Sequence, residues 1–364
     1  MSLPIRPKAA AACAKLRRIR TIPRFSALHC PHSRKCPFRH SVHGGQAESM
    51  NTPSAHENST AASALPARGY MWRTDELLRF GLNSRNIKAL VDSGELLRLR
   101  YGCYIRANQW KALGPRRRAT ERILAHAHGT LTSSTGGFVY SHLSAARLHG
   151  LFVWGVDDRV HFIHPSRPSS DRWGKDVRGH TENFTEDDVV VVQGLRVTTL
   201  ERTIFDSARM LSYPKALVVM DHGLRVGAER SKLTYMAANS AGMRGIRTLR
   251  KALDNADPRS ESAGETLTRE LMQRLSIKPP QPQFEVQSRL GRHRMDFAWE
   301  EEKLALEFDG RTKYFDYRPT DEVIFQERRR EKALTEAGWR FIRIEWKDLF
   351  QERDFKERIL RELR

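Results

Sequence analysis

Two neighbouring stretches decide the fold of the C-terminal half: HRMDFAW (residues 293–299) and KLALEFDG (residues 303–310). Both are rich in strand-forming residues, and the polar run Glu300–Lys303 between them predicts a turn. With that turn, Trp299 lies opposite Leu304, and continuing the antiparallel register sets Asp296 opposite Glu307. Asp309, two residues beyond Glu307, points to the same face by the strand period. Like charges held side by side repel and lose solvation at a cost. An apolar strand such as LALEF gains no stability from a lone glutamate, and a divalent cation resolves the conflict. Mg²⁺ prefers a few carboxylates, a carbonyl and waters. Such an ion activates water and neutralises a phosphate transition state. The expected metal ligands are Asp296, Glu307 and Asp309.

Outward from this pair, Ala263–Leu275 predicts a helix with Leu267, Leu271 and Leu275 along one stripe, and Gln283–Gln287 predicts a further strand. The residues Glu265 in SAGETLTRELM, Asp296 in RMDFAW, and Glu307, Asp309, Gly310, Lys313 and Tyr314 in EFDGRTKY resemble the PD-(D/E)xK nuclease superfamily. The closest likeness is the branch related to the very-short-patch repair endonuclease, and QERRREKALTEAGWRFIRIEWKDL (326–349) resembles that branch's helix–strand ending. The resemblance implies a restriction-endonuclease-like α/β domain with a mixed sheet over 259–364. In it Asp296 and Glu307 hold Mg²⁺, Glu265 supports them from the first helix, and Lys313 orients water or stabilises charge on the phosphate. Two positions depart from the pattern. The third position of the E-x-K triplet is Asp309, and Arg328 stands where relatives carry lysine; arginine does not exchange protons near neutral pH. Plainer readings exist for each residue. Glu265 lies three residues after Ser262, the spacing of a capping box. Asp296 and Glu307 would be ordinary strand surface if paired with Arg294 or Arg292, and Lys313 a surface lysine. Arg328, Arg329 and Arg330 read as a solvated or DNA-facing helix side.

Residues 69–112 predict a small DNA-binding module. Thr74 caps a short helix ended by Gly81. Ser84 caps a second, with Ile87, Leu90 and Val91 on one face and Gly94 as its stop. A basic hairpin follows, Glu95–Arg100 and Cys103–Arg106 around Tyr101-Gly102. Helix, turn, helix and basic hairpin in that order describe a winged helix. The stretch WRTDELLRFGLNSRNIKALVDSGELLRLRYGCYI (72–105) resembles the N-terminal domain of the AbiEi family of antitoxins, a winged helix that represses its own operon. The resemblance implies readers at Arg85, Asn86 and Lys88; Arg98, Arg100 and Arg106 reach phosphates from the wing.

Residues 113–235 predict an α/β middle region. Val189–Val192 and Leu195–Thr198 bracket the turn Gln193-Gly194, and Thr198 with Glu201 has capping-box spacing ahead of a helix. SHLSAARLHGL (141–151), VTTLERTIFDSAR (197–209) and ALVVMDHGLRVG (216–227) resemble the body of the same AbiEi-related proteins. His142, His149, Asp206 and Asp221 are too dispersed for a metal-spacing argument and read as caps and satisfied buried polar groups. Residues 236–258 read as a link.

The whole chain has 364 residues, 63 Lys or Arg against 43 Asp or Glu, a net charge of +20 and 39% hydrophobic residues. That length predicts two or three domains, and that composition excludes a wholly disordered chain. No apolar run is long enough for a transmembrane helix, and four scattered cysteines exclude a disulfide scaffold. Within residues 1–68, eleven Lys or Arg face only Glu48 and Glu57, and no periodicity appears, so the segment is expected to be disordered. It reads as a transit peptide, as a basic arm, or, preferentially, as sequence upstream of a start at Met50 or Met71. Cys13, Cys30, Cys36 and His40 there are a weak zinc pattern. The expectation is therefore a cytoplasmic α+β multidomain protein that binds DNA and cleaves its phosphodiester bonds with Mg²⁺. The rival is a repressor or antitoxin with a cognate toxin partner and a degenerate nuclease fold. Phosphate attraction by the net charge fits both.

Overall fold

The computed structural model describes residues 65, 69–130, 137–165, 174–310 and 321–364, without the side chains of residues 130 and 321–324. The fold is mixed α and β, with three sheets and helices packed around them. The candidate zinc residues Cys13, Cys30, Cys36 and His40, and Lys313 and Tyr314, lie outside the described residues.

The first sheet is antiparallel, in the order β1 (Met71–Arg73), β3 (Cys103–Arg106), β2 (Leu96–Arg100). Two short helices, Thr74–Arg79 and Ser84–Asp92, pack on it through Leu77, Leu82, Ile87 and Leu90. The caps sit one residue earlier than the sequence suggests. Arg73 caps the first helix, and Asn83 caps the second by accepting the Asn86 N–H at 2.8 Å.

The second sheet is mixed, in the order β6 (Val177–Thr181), β5 (Val160–His164), β4 (Val139–Tyr140), β8 (Leu195–Thr198), β7 (Val189–Val192). The β7–β8 hairpin pairs Val192 with Leu195, as the Gln193-Gly194 turn predicts, and both turn residues take positive φ. The expected Thr198–Glu201 box does not form. Thr199 is the N-cap, Thr198 Oγ1 sits 2.7 Å from Thr203 Oγ1, and Glu201 accepts the Glu229 N–H.

Residues 236–258 are not a bare link. They contain the helix Ile246–Asp254, whose Ile246, Leu249, Ala252 and Leu253 are buried against the helices Leu200–Met210 and Tyr213–Arg225. Gly245 starts that helix with φ +79, and a side chain there would collide with the Arg209 carbonyl. Composition suggested a linker because the apolar residues are few, but they fall at i, i+3, i+6 and i+7 on one face.

The third sheet runs β12 (Arg340–Ile344), β11 (Leu304–Phe308), β10 (Gly291–Trp299), β9 (Gln281–Ser288). β12 is parallel to β11 and the other pairs are antiparallel, so this sheet too is mixed. Phe297, Trp299, Leu304 and Leu306 pack with Leu267 and Leu271 of the helix Ala263–Arg274 and with Phe355 and Ile359 of the helix Glu352–Glu362. Met295, Ala298 and Ala305 pack instead with Leu334, on the helix Asp321–Glu336, and with Trp339.

Candidate functional site

Trp299 pairs with Leu304 and Phe297 with Leu306, the register expected from the sequence, and the next position sets Asp296 beside Glu307. Strict alternation does not carry them there. Met295 and Ala298, three residues apart, join the same cluster, so the period slips around Asp296. At that point β9 contributes Gln283, held at φ +54, between the pairs Met295–Phe284 and Phe297–Pro282. The Asp296 carboxylate turns to the end of β11, where its Oδ2 accepts the Phe308 N–H at 2.8 Å.

Glu265 reaches the same place from the Ala263–Arg274 helix. Its neighbour Gly264 lies against the Phe308 ring, and a side chain there would strike the ring, so glycine permits the close approach. Ser262 caps the helix by accepting the Glu265 N–H at 3.1 Å. The Glu265 carboxylate does not close the box onto Ser262. Its Oε2 accepts the Glu261 N–H and the Gln283 Nε2–H, each at 2.8 Å.

Crowding is visible in the acidities. Burial, then the Asp296 charge, pushes the Glu265 carboxyl up to about 7. Burial also raises Asp296 to about 6; the nearby Glu307 charge adds to this and the Phe308 N–H opposes it. Neither Arg292 nor Arg294 neutralises the pair. Arg292 binds Glu285 at 3.2 Å and Arg294 binds Glu261 at 2.7 Å.

The cation facing Glu307 is Arg330. Its Nη2 donates to Glu307 Oε1 at 2.5 Å and to the Arg294 carbonyl at 3.1 Å, while its Nη1 binds Glu327. The sequence reads Arg330, with Arg328 and Arg329, as a solvated or DNA-facing helix side; its side chain turns to Glu307 and is 22% exposed. The signal was present in the sequence, because residues 327, 330, 331 and 334 share one helix face and Leu334 is buried. Among the described residues, Asp296 Oδ1 and Glu307 Oε2 accept no hydrogen bond. Asp309 lies just past β11, its N–H bonded to the Ile344 carbonyl at 2.8 Å. Near the end of β11, Asp296 and Glu307 thus offer two carboxylate oxygens in crowded, partly desolvated surroundings, next to a resident guanidinium.

The six expected DNA contacts divide into two groups. Arg85, Lys88 and Arg98 are exposed, with Arg98 over the ring of the exposed Tyr101. Asn86 Oδ1 accepts the Asn83 N–H and so serves the helix start. Arg100 turns toward Asp176 at 3.8 Å with its side chain 18% exposed, and the Arg106 guanidinium covers Trp72.

Of the four middle-region candidates, His149 Nε2–H donates to the Thr198 carbonyl, 2.7 Å away, and Asp221 accepts from Thr266, Arg269 and the Asp257 N–H. These two are the satisfied polar groups that the sequence suggests. His142 and Asp206, by contrast, come together with Glu182. One ligand atom from each lies within 4.8 Å of the others, which among the described residues makes this the three-ligand group that converges closely. The acids of the third sheet do not converge to that degree.

No family model matches the chain. Two mycobacterial relatives, the uncharacterized proteins Rv2248 and MT2308 of Mycobacterium tuberculosis, are 31% identical over 163 residues, which is 44% of this chain. The match spans 59% of the length of those relatives. The crystal structure of the RV2827C protein from the same species overlaps 56% of this chain and 78% of its own, at 14% identity and a TM-score of 0.38. No helix among the described residues is long and apolar enough to cross a membrane.

Proposed function

We propose that this protein binds DNA through a winged helix at residues 69–112 and cleaves phosphodiester bonds at a restriction-endonuclease-like C-terminal domain. The observation that carries the reading is the meeting of Glu265, Asp296 and Glu307 near the C-terminal end of β11, where burial and neighbouring negative charge weaken two of the three acids. Such an arrangement is costly unless a cation offsets it. The donor set fits Mg²⁺, a hard ion that takes a few carboxylate oxygens and keeps several waters. Asp296 and Glu307 would hold it with the carbonyl that follows Glu307. When bound, it supplies a low-pKa water and charge neutralisation at the phosphate. Glu265, protonated or ionised near pH 7, positions Gln283 and accepts a proton at the edge of the site. Arg330 orients Glu307 and presents positive charge toward an incoming phosphate. Lys313 is the proposed assisting lysine. The exposed Arg85, Lys88 and Arg98 supply phosphate attraction. The proposed location is the cytoplasm. Nicking of supercoiled plasmid tests the reading: Mg²⁺-dependent nicking by the native chain should fall to background in Glu307→Gln, with DNA retention unchanged.

A second reading is favoured by the Arg330–Glu307 ion pair, which already gives Glu307 a cation. In it the C-terminal domain is a degenerate nuclease that tethers DNA or a cognate toxin, and the winged helix represses transcription. A gel shift on the DNA upstream of its own gene, without metal and with no nicking under any condition, supports this alternative.

A further inference from the structure

We propose that His142, Glu182 and Asp206 bind one divalent transition-metal ion of the Zn²⁺ or Mn²⁺ class, at a site independent of the acids on the third sheet. The three residues come from separate elements: the start of the His142–Leu148 helix, the residue after β6, and the middle of the Leu200–Met210 helix. An ion between them would clasp the edge of the second sheet to two helices.

The donor chemistry suits such an ion. Burial, with the neighbouring His180 and His161, holds the His142 pKa well below the usual imidazole range, so the ring is neutral and able to ligate. Ser141 Oγ lies 2.9 Å from His142 Nδ1, which fixes the ring and leaves Nε2 as the ligand atom. His180 stacks on the ring at 3.6 Å between centroids. One imidazole and two carboxylates form a mixed nitrogen–oxygen set, which suits Zn²⁺ or Mn²⁺ better than Mg²⁺.

A second feature points into the same place. Asp206 is 1% exposed, and its Oδ1 is buried without any hydrogen-bond partner. Its other oxygen accepts Arg202 Nε–H at 2.9 Å, and Arg202 also holds Glu182 Oε2 at 3.1 Å. Arg202 therefore orients both carboxylates by one oxygen each and leaves Asp206 Oδ1 and Glu182 Oε1 for an ion. Those two oxygens face Arg209, but only at 3.7 and 3.6 Å, beyond hydrogen-bond reach, and Arg209 Nη1 is itself buried and unbonded. Asp206 already has Arg202 as its cation, so what is left unmatched is its Oδ1 and the Arg209 Nη1, and a buried polar atom without a partner is expensive. The loose contact leaves Arg209 as a competitor of the ion, not a full partner of the acids.

The test is isothermal titration of the full chain, stripped with chelator, with Zn²⁺ and Mn²⁺. Cys13→Ser, Cys30→Ser and Cys36→Ser are included so that N-terminal thiols do not contribute. In an Asp296→Asn background, which removes the carboxylate site of the third sheet, one ion per chain is expected, with affinity lowered at least tenfold by His142→Ala and by Glu182→Gln. Glu182 is partly exposed, so its variant should fold even if the histidine variant does not. Affinity is expected to rise in Arg209→Gln. Absence of saturable binding in that background, or binding unaffected by Glu182→Gln, would overturn the proposal.

Discussion

Two places in this protein press carboxylates together, and they relieve the strain differently. On the third sheet, Glu265, Asp296 and Glu307 are satisfied mostly by backbone and side-chain N–H groups and by a single arginine, Arg330. In the middle region, Glu182 and Asp206 share Arg202 and stand at arm's length from Arg209. The difference is one of solvation. Asp296 and Glu307 are only partly covered and Glu265 is buried, and the desolvation they suffer makes Glu265 and Asp296 hold protons more tightly. Asp206 is sealed, so an unpaired oxygen there cannot be relieved by water from the surface. Partial exposure suits a site that must admit substrate; sealing suits an ion that holds elements together.

Asp221 is the reference case, an equally buried acid held entirely by donors. Asp221→Ala should cost about 3–5 kcal/mol in denaturant unfolding, since Arg269 and the Asp257 N–H lose their acceptor. A cost near zero would show that donor count is the wrong basis for the comparison.

Glu265→Gln probes the third-sheet cluster. The folded chain keeps protons on Glu265 and Asp296 up to about 7 and about 6, where an unfolded chain has already released them. Stability from these groups is therefore present at low pH and lost as pH rises through the window from about 4 to 7. The loss, at most about 3 kcal/mol from each group, should be visibly smaller in Glu265→Gln than in the native chain, read from unfolding midpoints across that window. Mg²⁺ should restore part of it at pH 7.5 in the native chain only.

Gly264→Ala asks whether the close approach of helix to strand creates the crowding. The added methyl meets the Phe308 ring. Destabilisation of about 1–3 kcal/mol is expected, together with a weaker pH slope as Glu265 moves away from Asp296. At the other end of the chain, Lys88→Ala should weaken DNA binding evenly across sequences and lower the log–log salt slope by about 1, whereas Arg106→Ala should leave that slope nearly unchanged.

The two clusters also differ in how far the sequence discloses them. Asp296 and Glu307 are legible because a short turn fixes an antiparallel register, and a local rule then pairs them across ten intervening residues. Arg330 was legible only in part; its helix face is readable, but the direction of a long arginine side chain depends on tertiary packing. His142, Glu182 and Asp206 span 64 positions, and no spacing rule joins a helix start, a strand end and a helix middle that meet only through the order of the second sheet. The helix at 246–254 was obscured by composition, since a few well-placed apolar residues suffice when a partner surface exists. Arg100 and Arg106 illustrate the same limit: basic residues on a hairpin suggest phosphate contacts, but not that Arg100 lies 3.8 Å from Asp176 or that the Arg106 guanidinium lies over Trp72.

The proposed role of the third-sheet acids is to hold a hard ion for phosphodiester cleavage. Conversion of supercoiled plasmid to nicked circles, with and without Mg²⁺, for the native chain and for Asp296→Ala, tests it most directly. Mg²⁺-dependent nicking by the native chain and none by Asp296→Ala is the predicted result; equal nicking by both, or none by either while both still retain DNA, would contradict it.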